Sequence, residues 1–379
     1  MHILVLAVFF TSAGGEAKID TVLVSVRVKN LADWKSSQVV NDDGPPSQKC
    51  SPYLFPFVKA LGNAGHLVSV VIPSSSRSWI GKAHIIGETL KATYISPEAL
   101  LEDSGASAQS NHDQNDVRSN GLSTPSNKHG RSTSSSTPGS DLGRLWVVVN
   151  GTPAACTQLG LYCLFPDREP IDLVISGPNH GRNASTIYGL ASGTVGGALE
   201  AATCGKKAIA LSFASKDKQP AETIQAAARI SVKLIEHLSA HWPDEGVELY
   251  SVNVPMRSDV EKRPIVYTSM LQNFWSKSSL YREVDLSASQ PANNSNNSKD
   301  DRAWGDEVSP TESGVLGQRD HLQQTKYFQW APELSDIQRS VEMSQVGTDT
   351  CTVMNGCTSV TPLSANFSHV SSFSGELRL

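Results

Sequence analysis

Residues 39–44 read Val39-Val40-Asn41-Asp42-Asp43-Gly44, which places two adjacent carboxylates directly after an apolar run. Asn, Asp and Gly are the commonest turn residues, so the polar part of this stretch is consistent with a simple turn. Two like charges side by side raise each other's pKa unless a cation neutralises them. Because carboxylate and carbonyl oxygens suit magnesium, manganese or calcium, the stretch also predicts a hard-metal site at the end of a strand.

Apolar runs of strand length recur along the chain between segments with helical periodicity. They lie at residues 66–72, 145–149, 173–176, 208–212 and 247–254. Nearly continuous apolar runs are typical of parallel strands that helices cover on both faces. The alternation of such strands with helices predicts an α/β, Rossmann-like fold with a mainly parallel sheet flanked by helices.

Three segments carry helical signals. Ser51 is predicted to be the N-cap of the first helix, Pro52 its first residue and Gly65 its end. A second helix is predicted at about residues 194–204, and apolar residues at helical spacing between 224 and 238 indicate a third. These helices are expected to cover the faces of the sheet.

The composition excludes two classes of partner. The 379 residues carry a net charge of −5 with no basic stripe, which gives no electrostatic support for binding a nucleic-acid polymer. No apolar stretch reaches the ~20 residues of a membrane span, so no membrane association is expected. Six scattered cysteines without a Cys-x-x-Cys pair indicate mostly buried thiols in a reducing compartment, with a Cys351–Cys357 bridge left open.

Two polar stretches divide the chain. Residues 102–142 are rich in Ser, Asn, Gly and Thr, and residues 286–325 have a similar composition. Such stretches cannot bury enough surface to offset their ordering entropy, so we expect a disordered insert and a low-complexity linker. The α/β domain is then predicted at 41–285, with an anomalous segment at 1–40 and a C-terminal arm at 326–379 that completes the domain.

Polar clusters follow four of the predicted strands. Besides Asn41–Gly44, these clusters lie at residues 73–78, 150–153 and 176–183. Ligands of open α/β sheets bind outside the carboxyl ends of the strands, so the four clusters together predict one oxygen-rich pocket. A Ser hydroxyl and an Asn carbonyl can complete the ligand shell of a hard metal beside two carboxylates.

The run Ser192-Gly193-Thr194 opens the second predicted helix. Free backbone N–H groups at a helix start, together with two hydroxyls, predict an anion site suited to phosphate.

The sequence lacks the signature motifs of two other enzyme classes. No G-x-G-x-x-G follows a strand, as a dinucleotide oxidoreductase requires, and no G-x-S-x-G occurs, as expected of a serine hydrolase.

Taken in order, these motifs resemble those of the SurE family (stationary-phase survival protein E) of phosphatases and nucleotidases. The matching stretches are Asn41–Gly44, Arg77-Ser78, Gly151–Ala154 with Cys156, Ser176–Asn183, Ser192–Val195 with Ala198, Asn253–Pro255 and Ser359–Leu363. Ala155 stands where the family has an Asp. The two polar stretches and the segment Tyr327–Pro332 are similar to the fungal branch of the family.

The resemblance implies a hydrolase of phosphoric monoesters that binds one divalent metal ion, with magnesium or manganese favoured. The implied metal ligands are Asp42, Asp43, Ser78 and Asn179. The implied catalytic residues are Asp42, Asp43 and Asn179. The implied phosphate-binding residues are Asn41, Ser192, Gly193 and Thr194. The substrates would be nucleoside monophosphates, as for a 5′/3′-nucleotidase, or other small phosphoesters, as for an acid phosphatase.

The N-terminus departs from the family pattern, in which the first strand runs directly into Asn-Asp-Asp-Gly. Removing residues 6–39 gives MHILVVNDDG, a near-ideal family start. We interpret residues 6–39 as an insert like a retained intron, with a signal peptide or a genuine insertion as alternatives, and expect them to be irregular or poorly packed. Either Val39-Val40 or the segment Val22–Val28 would replace the interrupted strand. The chain is expected to be cytoplasmic, or secreted if Met1–Gly15 is a signal peptide.

The interrupted strand also motivates a second hypothesis. If it misplaces Asp42 and Asp43, the chain would be a catalytically impaired binding or scaffold protein, because a misplacement of ~1 Å can cost about 10²-fold in rate. The resemblance implies in addition that the C-terminal arm crosses to a partner subunit. A homodimer or homotetramer is therefore expected.

Overall fold

The computed structural model describes residues 3–12, 17–26, 36–106, 145–243, 245–275, 279–284 and 325–366. Over these ranges the strands form one nine-stranded sheet and two separate two-stranded sheets. The strands are β1 Ile3–Ser12, β2 Ala17–Val26, β3 Ser36–Val40, β4 Leu67–Pro73, β5 Ala92–Ile95, β6 Trp146–Val149, β7 Leu173–His180, β8 Lys207–Phe213, β9 Leu249–Val254, β10 Ile265–Tyr267, β11 Tyr281–Val284, β12 Tyr327–Trp330 and β13 Thr358–Leu363.

The large sheet has the order β10-β13-β9-β8-β7-β3-β4-β6-β5 and is mainly parallel, which confirms the predicted α/β class. The six strands from β9 to β6 in this order are parallel to their neighbours. Antiparallel strands flank them, because β5 pairs with β6 and β13 pairs with β9 in that sense. β3 therefore lies at the centre of the sheet, between β4 and β7.

Helices cover both faces of the sheet. In the described ranges they are α1 Leu54–Asn63, α2 Pro97–Ala106, α3 Pro153–Tyr162, α4 Thr186–Ala191, α5 Gly193–Thr203, α6 Ala221–Ala240, α7 Ser335–Glu342 and α8 Asp349–Met354. One apolar core joins α1 and α6 to the first face. A second core joins α3 and α5 to the opposite face. We call these the α1–α6 layer and the α3–α5 layer.

The two cores meet at β3. Val39 is fully buried in the α1–α6 layer and Val40 is fully buried in the α3–α5 layer. Successive side chains of a strand point to opposite faces, so two consecutive valines are what a central, doubly covered strand requires. The residue that follows, Asn41, is thereby delivered to the carboxyl edge of the sheet.

The N-terminal segment is more regular than the sequence suggested. β1 and β2 pair antiparallel in a sheet of their own, from Ile3 opposite Val26 to Ser12 opposite Ala17. Irregular structure, one of the two alternatives expected for residues 6–39, is wrong for these strands, because their β-branched residues favour extended pairing. The other alternative, poor packing, stays a prediction. Of the two proposed replacements for the first strand, Val39-Val40 is confirmed as the end of β3, whereas residues 22–26 lie in β2.

All five residues of β3 are buried, and the first three of them are polar. Gln38 is fully buried, and its Nε2 donates a hydrogen bond to the backbone oxygen of Cys156 at 3.0 Å. Gly160 leaves the room for this amide, because a Cβ at that position would collide with it. The Gln38 Oε1 and Ser37 Oγ atoms have no hydrogen-bond partner within the part of the chain that the structure describes.

Three smaller expectations need correction or completion. α1 begins at Leu54 rather than Pro52, and its N-cap is Tyr53, which makes no side-chain capping bond. α2 extends to Ala106, so residues 102–106 of the predicted insert are helical, while 107–142 lie outside the described residues. All six cysteines are free, so no Cys351–Cys357 bridge forms.

Among the helices described, none has the length and hydropathy to cross a membrane.

Candidate active site

The sequence-predicted site residues gather at the carboxyl edge of the central strands. Asn41–Gly44 follows β3, and the loop with Ser78 follows β4. Asn179 is the second-last residue of β7. A backbone bond from Arg77 N to Asp42 O at 2.7 Å ties the loop after β4 to the turn after β3. The α5 start closes the site from the α3–α5 layer. The structure thus brings together the residues that four separate motifs contributed.

Asn41 shapes the turn that carries the carboxylates. Its Nδ2 donates to Gly44 O at 2.7 Å and to Ser51 Oγ at 3.2 Å, and Gly44 N donates to Asn41 Oδ1 at 3.3 Å. Gly44 has φ +85°, a left-handed conformation that suits glycine. Asn41 is fully buried and occupied by these bonds, so its proposed contact with phosphate stays a prediction.

The Asp42 carboxylate is almost completely buried, with 3% of the residue exposed. The Thr194 hydroxyl donates to Asp42 Oδ1 at 2.6 Å. Burial raises the pKa of Asp42, and the hydrogen bonds from the Thr194 side chain and from the backbone of Thr194 and Gly193 oppose that rise. The start of α5 therefore stabilises the ionised form of Asp42, as expected for a carboxylate at a helix N-terminus.

Asp43 faces the other layer and is 7% exposed. The backbone N–H of His180 donates to Asp43 Oδ2 at 2.7 Å. Burial raises the pKa of Asp43 well above its usual value, the charge of Asp42 raises it further, and the charge of Lys216 acts in the opposite sense. The adjacent ring of Tyr53 has its pKa raised to about 12 by burial and by the charge of Asp43.

The N-terminal turn of α5 is packed against Asp42 rather than open. A Cβ added to Gly193 would lie 2.8 Å from Asp42 Cβ and 2.9 Å from Ile80 Cγ2, so only glycine fits. Ser192 caps the helix, because its Oγ accepts a hydrogen bond from Val195 N at 3.1 Å. The hydroxyls of Ser192 and Thr194 are thus engaged by the protein itself, and their predicted role in binding phosphate remains a prediction.

Ser78 and Asn179 supply the neutral oxygens of the predicted metal site. Ser78 is half-buried, with its Oγ 3.2 Å from Ser76 Oγ. Asn179 is 9% exposed, and its Nδ2 donates to Gly181 O at 2.7 Å, an orientation that leaves Oδ1 for another partner. The neighbouring His180 ring meets Tyr53 edge-on at 5.2 Å between centroids.

The donor set fits a hard divalent cation. Two carboxylates, a hydroxyl and an amide oxygen are the ligand types that magnesium and manganese take. The described residues contain no group of three or more His, Cys, Asp or Glu placed to hold a metal. This agrees with a set that relies on neutral oxygens for half of its ligands. Burial and mutual repulsion of Asp42 and Asp43 disfavour their charges, a cost that a bound cation would offset.

The buried carboxylate of Glu200 holds the loop after β4 against α5, and the sequence analysis did not predict this role. Glu200, 4% exposed, lies 2.5 Å from Lys82 Nζ and 3.2 Å from His84 Nε2. Gly81 N donates to Ala191 O at 2.9 Å on the same side. The loop that carries Ser78 is therefore fixed at several points to the helix that carries Thr194.

Two further buried residues hold the segment between β7 and α5. Asp349 Oδ2 accepts from Ser185 N at 2.8 Å, and its Oδ1 accepts from Leu271 N at 3.0 Å. Asn273 Oδ1 accepts from Ile187 N at 3.0 Å. Because both partners come from distant parts of the chain, neither role could be read from local sequence. They connect the C-terminal part of the chain to the helix start beside Asp42.

Comparison with known proteins gives a family match. A model of the family described as Survival protein SurE matches residues 38–277. A solved structure described as the SurE protein from Aquifex aeolicus superposes with a TM-score of 0.53 at 22% identity, covering 88% of this chain and 94% of that chain. At that identity the structural likeness supports the fold alone.

Curated relatives carry two kinds of name. A probable tubulin–tyrosine ligase PBY1 from Saccharomyces cerevisiae is 31% identical over 355 residues, which cover 90% of this chain and 42% of that protein. A 5′-nucleotidase SurE from Methanocella arvoryzae is 36% identical over 140 residues, which cover 35% of this chain and 52% of that protein. The chain therefore spans about half the length, or less, of these relatives.

Proposed function

The chain belongs to the SurE family, and on that premise we propose that it is a phosphomonoesterase that depends on a divalent metal. Its proposed substrates are nucleoside monophosphates or other small phosphoesters. The observation that carries the proposal is the pair of buried carboxylates, Asp42 and Asp43, at the end of the central strand. The name of the nucleotidase relative from Methanocella arvoryzae supports the substrate class.

The proposed reaction is hydrolysis of a phosphoric monoester, in which water cleaves the P–O bond and releases an alcohol and phosphate. A magnesium or manganese ion held by Asp42, Asp43, Ser78 and Asn179 would supply Lewis-acid polarisation of a phosphoryl oxygen. The protein's own contribution begins with Thr194, whose hydroxyl fixes the direction of the Asp42 carboxylate and favours its ionised form. The turn bonds of Asn41 and the His180 N–H keep Asp43 beside it.

The transferring phosphoryl group carries negative charge that the site has to stabilise. The N-terminal end of α5 points at this edge of the sheet, and its positive end favours an anion there. The Asn179 amide donates one N–H to Gly181 O, and its second N–H is the proposed donor to the phosphoryl group. These fixed dipoles need no rearrangement during the reaction, which is the condition for electrostatic stabilisation of a transition state.

The alternative of a catalytically impaired scaffold has less support in this geometry. That hypothesis depended on an interrupted first strand that misplaces the carboxylates. β3 instead pairs in parallel with both β4 and β7 up to Val39 and Val40, directly before the turn. The ligase name of the yeast relative does not bear on the choice, because this chain aligns with 42% of that protein.

We further propose a homodimer or homotetramer formed through the C-terminal arm. Exposed aromatic side chains on β12 support it, since Tyr327 and Phe328 are 49% and 58% exposed. Light scattering of the purified chain would measure the assembly mass. Deletion of residues 326–330 should return the monomer mass if the arm forms the contact.

The deciding experiment for the function is phosphate release from adenosine monophosphate. Activity should disappear in excess chelator and return with magnesium or manganese. Asp43→Asn should lose at least about 100-fold in turnover, because it removes one of two carboxylates from a hard-cation site. Asp259→Asn is the matched control, since Asp259 is a surface carboxylate paired with Arg257. Full activity in chelator would contradict the proposal.

A further inference from the structure

Four aromatic side chains, here called the aromatic cluster, lie together beside the proposed active site: Trp79, Tyr188, Trp275 and Trp330. Trp79 is at the centre, with its ring centroid 5.9 Å from Tyr188, 6.3 Å from Trp275 and 5.4 Å from Trp330. The three tryptophans are 39%, 36% and 41% exposed. Large rings that hold one another in place yet keep over a third of their surface exposed present faces that a flat ligand can cover.

Two of these rings are attached directly to segments of the site. Trp79 follows the predicted metal ligand Ser78 in the chain. Tyr188 lies in α4, the short helix that leads into the start of α5. The backbone bond from Gly81 to Ala191 at 2.9 Å joins the two segments. The aromatic cluster therefore borders the position at which a substrate phosphate is proposed to bind.

The backbone of Trp79 is strained. Its φ is +67°, and Ser185 is the other non-glycine residue with a positive φ in the described part of the chain. A bulky residue in this region is a genuine outlier, and strain of this kind persists where the surrounding structure enforces it. Glycine would adopt the same conformation freely. The presence of tryptophan instead points to a use for its ring.

We propose that the aromatic cluster stacks on the base of a nucleotide, so that this chain selects nucleoside monophosphates over phosphoesters that lack an aromatic group. The inference rests on the proposed function and adds the substrate class to it. Aromatic rings stack on every nucleobase because each base has a π-face. Selection by stacking thus favours nucleotides as a class while tolerating different bases.

A binding experiment tests the inference without turnover. Tryptophan fluorescence of the full chain in chelator is titrated with adenosine monophosphate and, separately, with ribose 5-phosphate. Adenosine monophosphate should quench the emission saturably and ribose 5-phosphate should not. In Trp79→Gly, a variant that removes the ring and suits φ +67°, the quenching should weaken by about 5- to 100-fold in apparent affinity. Phe274→Ala, at an exposed aromatic in the segment of Trp275, should bind like the wild type.

A kinetic experiment separates this inference from the proposed function. With magnesium or manganese, Trp79→Gly should raise KM for adenosine monophosphate about 5- to 100-fold more than it raises KM for ribose 5-phosphate, which has no base to stack. Tyr188→Ala should act in the same direction. Equal losses on both substrates, or no loss on either, would overturn the stacking role while the phosphatase activity itself stands.

Two other outcomes are also decisive. If the wild type hydrolyses neither substrate, the proposed function is wrong, and the fluorescence titration alone decides whether the aromatic cluster binds a base. If Trp79→Gly lowers the assembly mass in light scattering and affects both substrates equally, the aromatic cluster is a contact with a second copy of the chain. That result would overturn the inference.

Discussion

The hydroxyl of Thr194 donates a 2.6 Å hydrogen bond to the carboxylate of Asp42, across 152 residues of sequence. This bond joins the second residue of α5 to the turn that follows β3. It gives Thr194 a role in holding the Asp42 carboxylate, a proposed metal ligand, whereas the sequence suggested a direct contact with phosphate. The distinction leads to a specific expectation for substitutions at this position.

Thr194→Val should weaken metal binding and also lower the stability of the fold. The substitution keeps the shape but leaves a buried carboxylate short of one donor, at a cost of about 1–3 kcal/mol in the free energy of unfolding. The metal concentration for half-maximal activity should rise, and Thr194→Ser should restore it. Metal titrations of activity, with thermal melts beside them, measure both effects. An unchanged metal requirement in Thr194→Val would contradict this role.

Ser192→Ala should lower stability by about 1 kcal/mol, because it removes the N-cap of α5. If Ser192 also binds phosphate, inorganic phosphate should inhibit the variant less than the wild type. Thr348→Ala is the matched control, since Thr348 caps α8 in the same way by accepting a bond from Cys351 N. Product inhibition that is equal in Ser192→Ala, Thr348→Ala and the wild type would show that Ser192 acts only as a cap.

Magnesium or manganese should raise the melting temperature of the wild type. A ligand that binds only the folded state at 100 times its Kd adds about 2.7 kcal/mol to the free energy of unfolding. Asp43→Asn should abolish this gain, whereas Asp259→Asn should keep it. Calorimetric melts with metal and with chelator provide the comparison. A metal-induced shift that survives in Asp43→Asn would place the cation elsewhere.

Gln38→Leu should change the free energy of unfolding by less than about 1 kcal/mol. It removes a buried amide oxygen that lacks a partner among the described residues, but it also removes the Nε2 hydrogen bond to Cys156 O. Deleting residues 6–39 should raise the free energy of unfolding by more than about 1 kcal/mol, because Ile3, Leu4 and Val5 then occupy the positions of Ser37, Gln38 and Val39. Denaturant melts measure both variants. A deletion variant that unfolds would show that residues 6–39 are an integral part of the fold.

The fold was predictable because its signals are local. Continuous apolar runs and the polar clusters after them located the central strands of the sheet to within a few residues. The sequence analysis did not predict the pairing of β1 with β2, since it interpreted residues 6–39, which include most of β1 and all of β2, as an insert. The start of α1 was misplaced because Ser51 had a good capping signal, yet in the structure it bonds to Asn41 instead.

The sequence predicted which segments meet at the site, but not the hydrogen bonds between them. Motif order predicted that the segments of Asp42, Asp43, Ser78 and Asn179 lie together, and the structure has these segments at one edge of the sheet, while the roles of the four residues stay predictions. The hydrogen-bond partners of the Ser192 and Thr194 hydroxyls depend on how α5 packs against β3. The local sequence does not reveal that packing. The roles of Asn273 and Asp349 were missed for the same reason, because Ile187, Ser185 and Leu271, the residues that they hold, are 78 or more residues away. Glu200 was missed as well, because a single acid on a helix is typical of a solvent-exposed face.

The alternation of Val39 and Val40 between the two cores continues into the turn. Asp42 is anchored by α5, in the α3–α5 layer, and Asp43 lies beside Tyr53, in the α1–α6 layer. The distance between the Asp42 and Asp43 carboxylates therefore depends on how the α3–α5 layer and the α1–α6 layer pack against the sheet. Loosening either layer would separate the ligands while the sheet stays intact. Metal release should thus be an early reporter of partial unfolding, ahead of any loss of strand content.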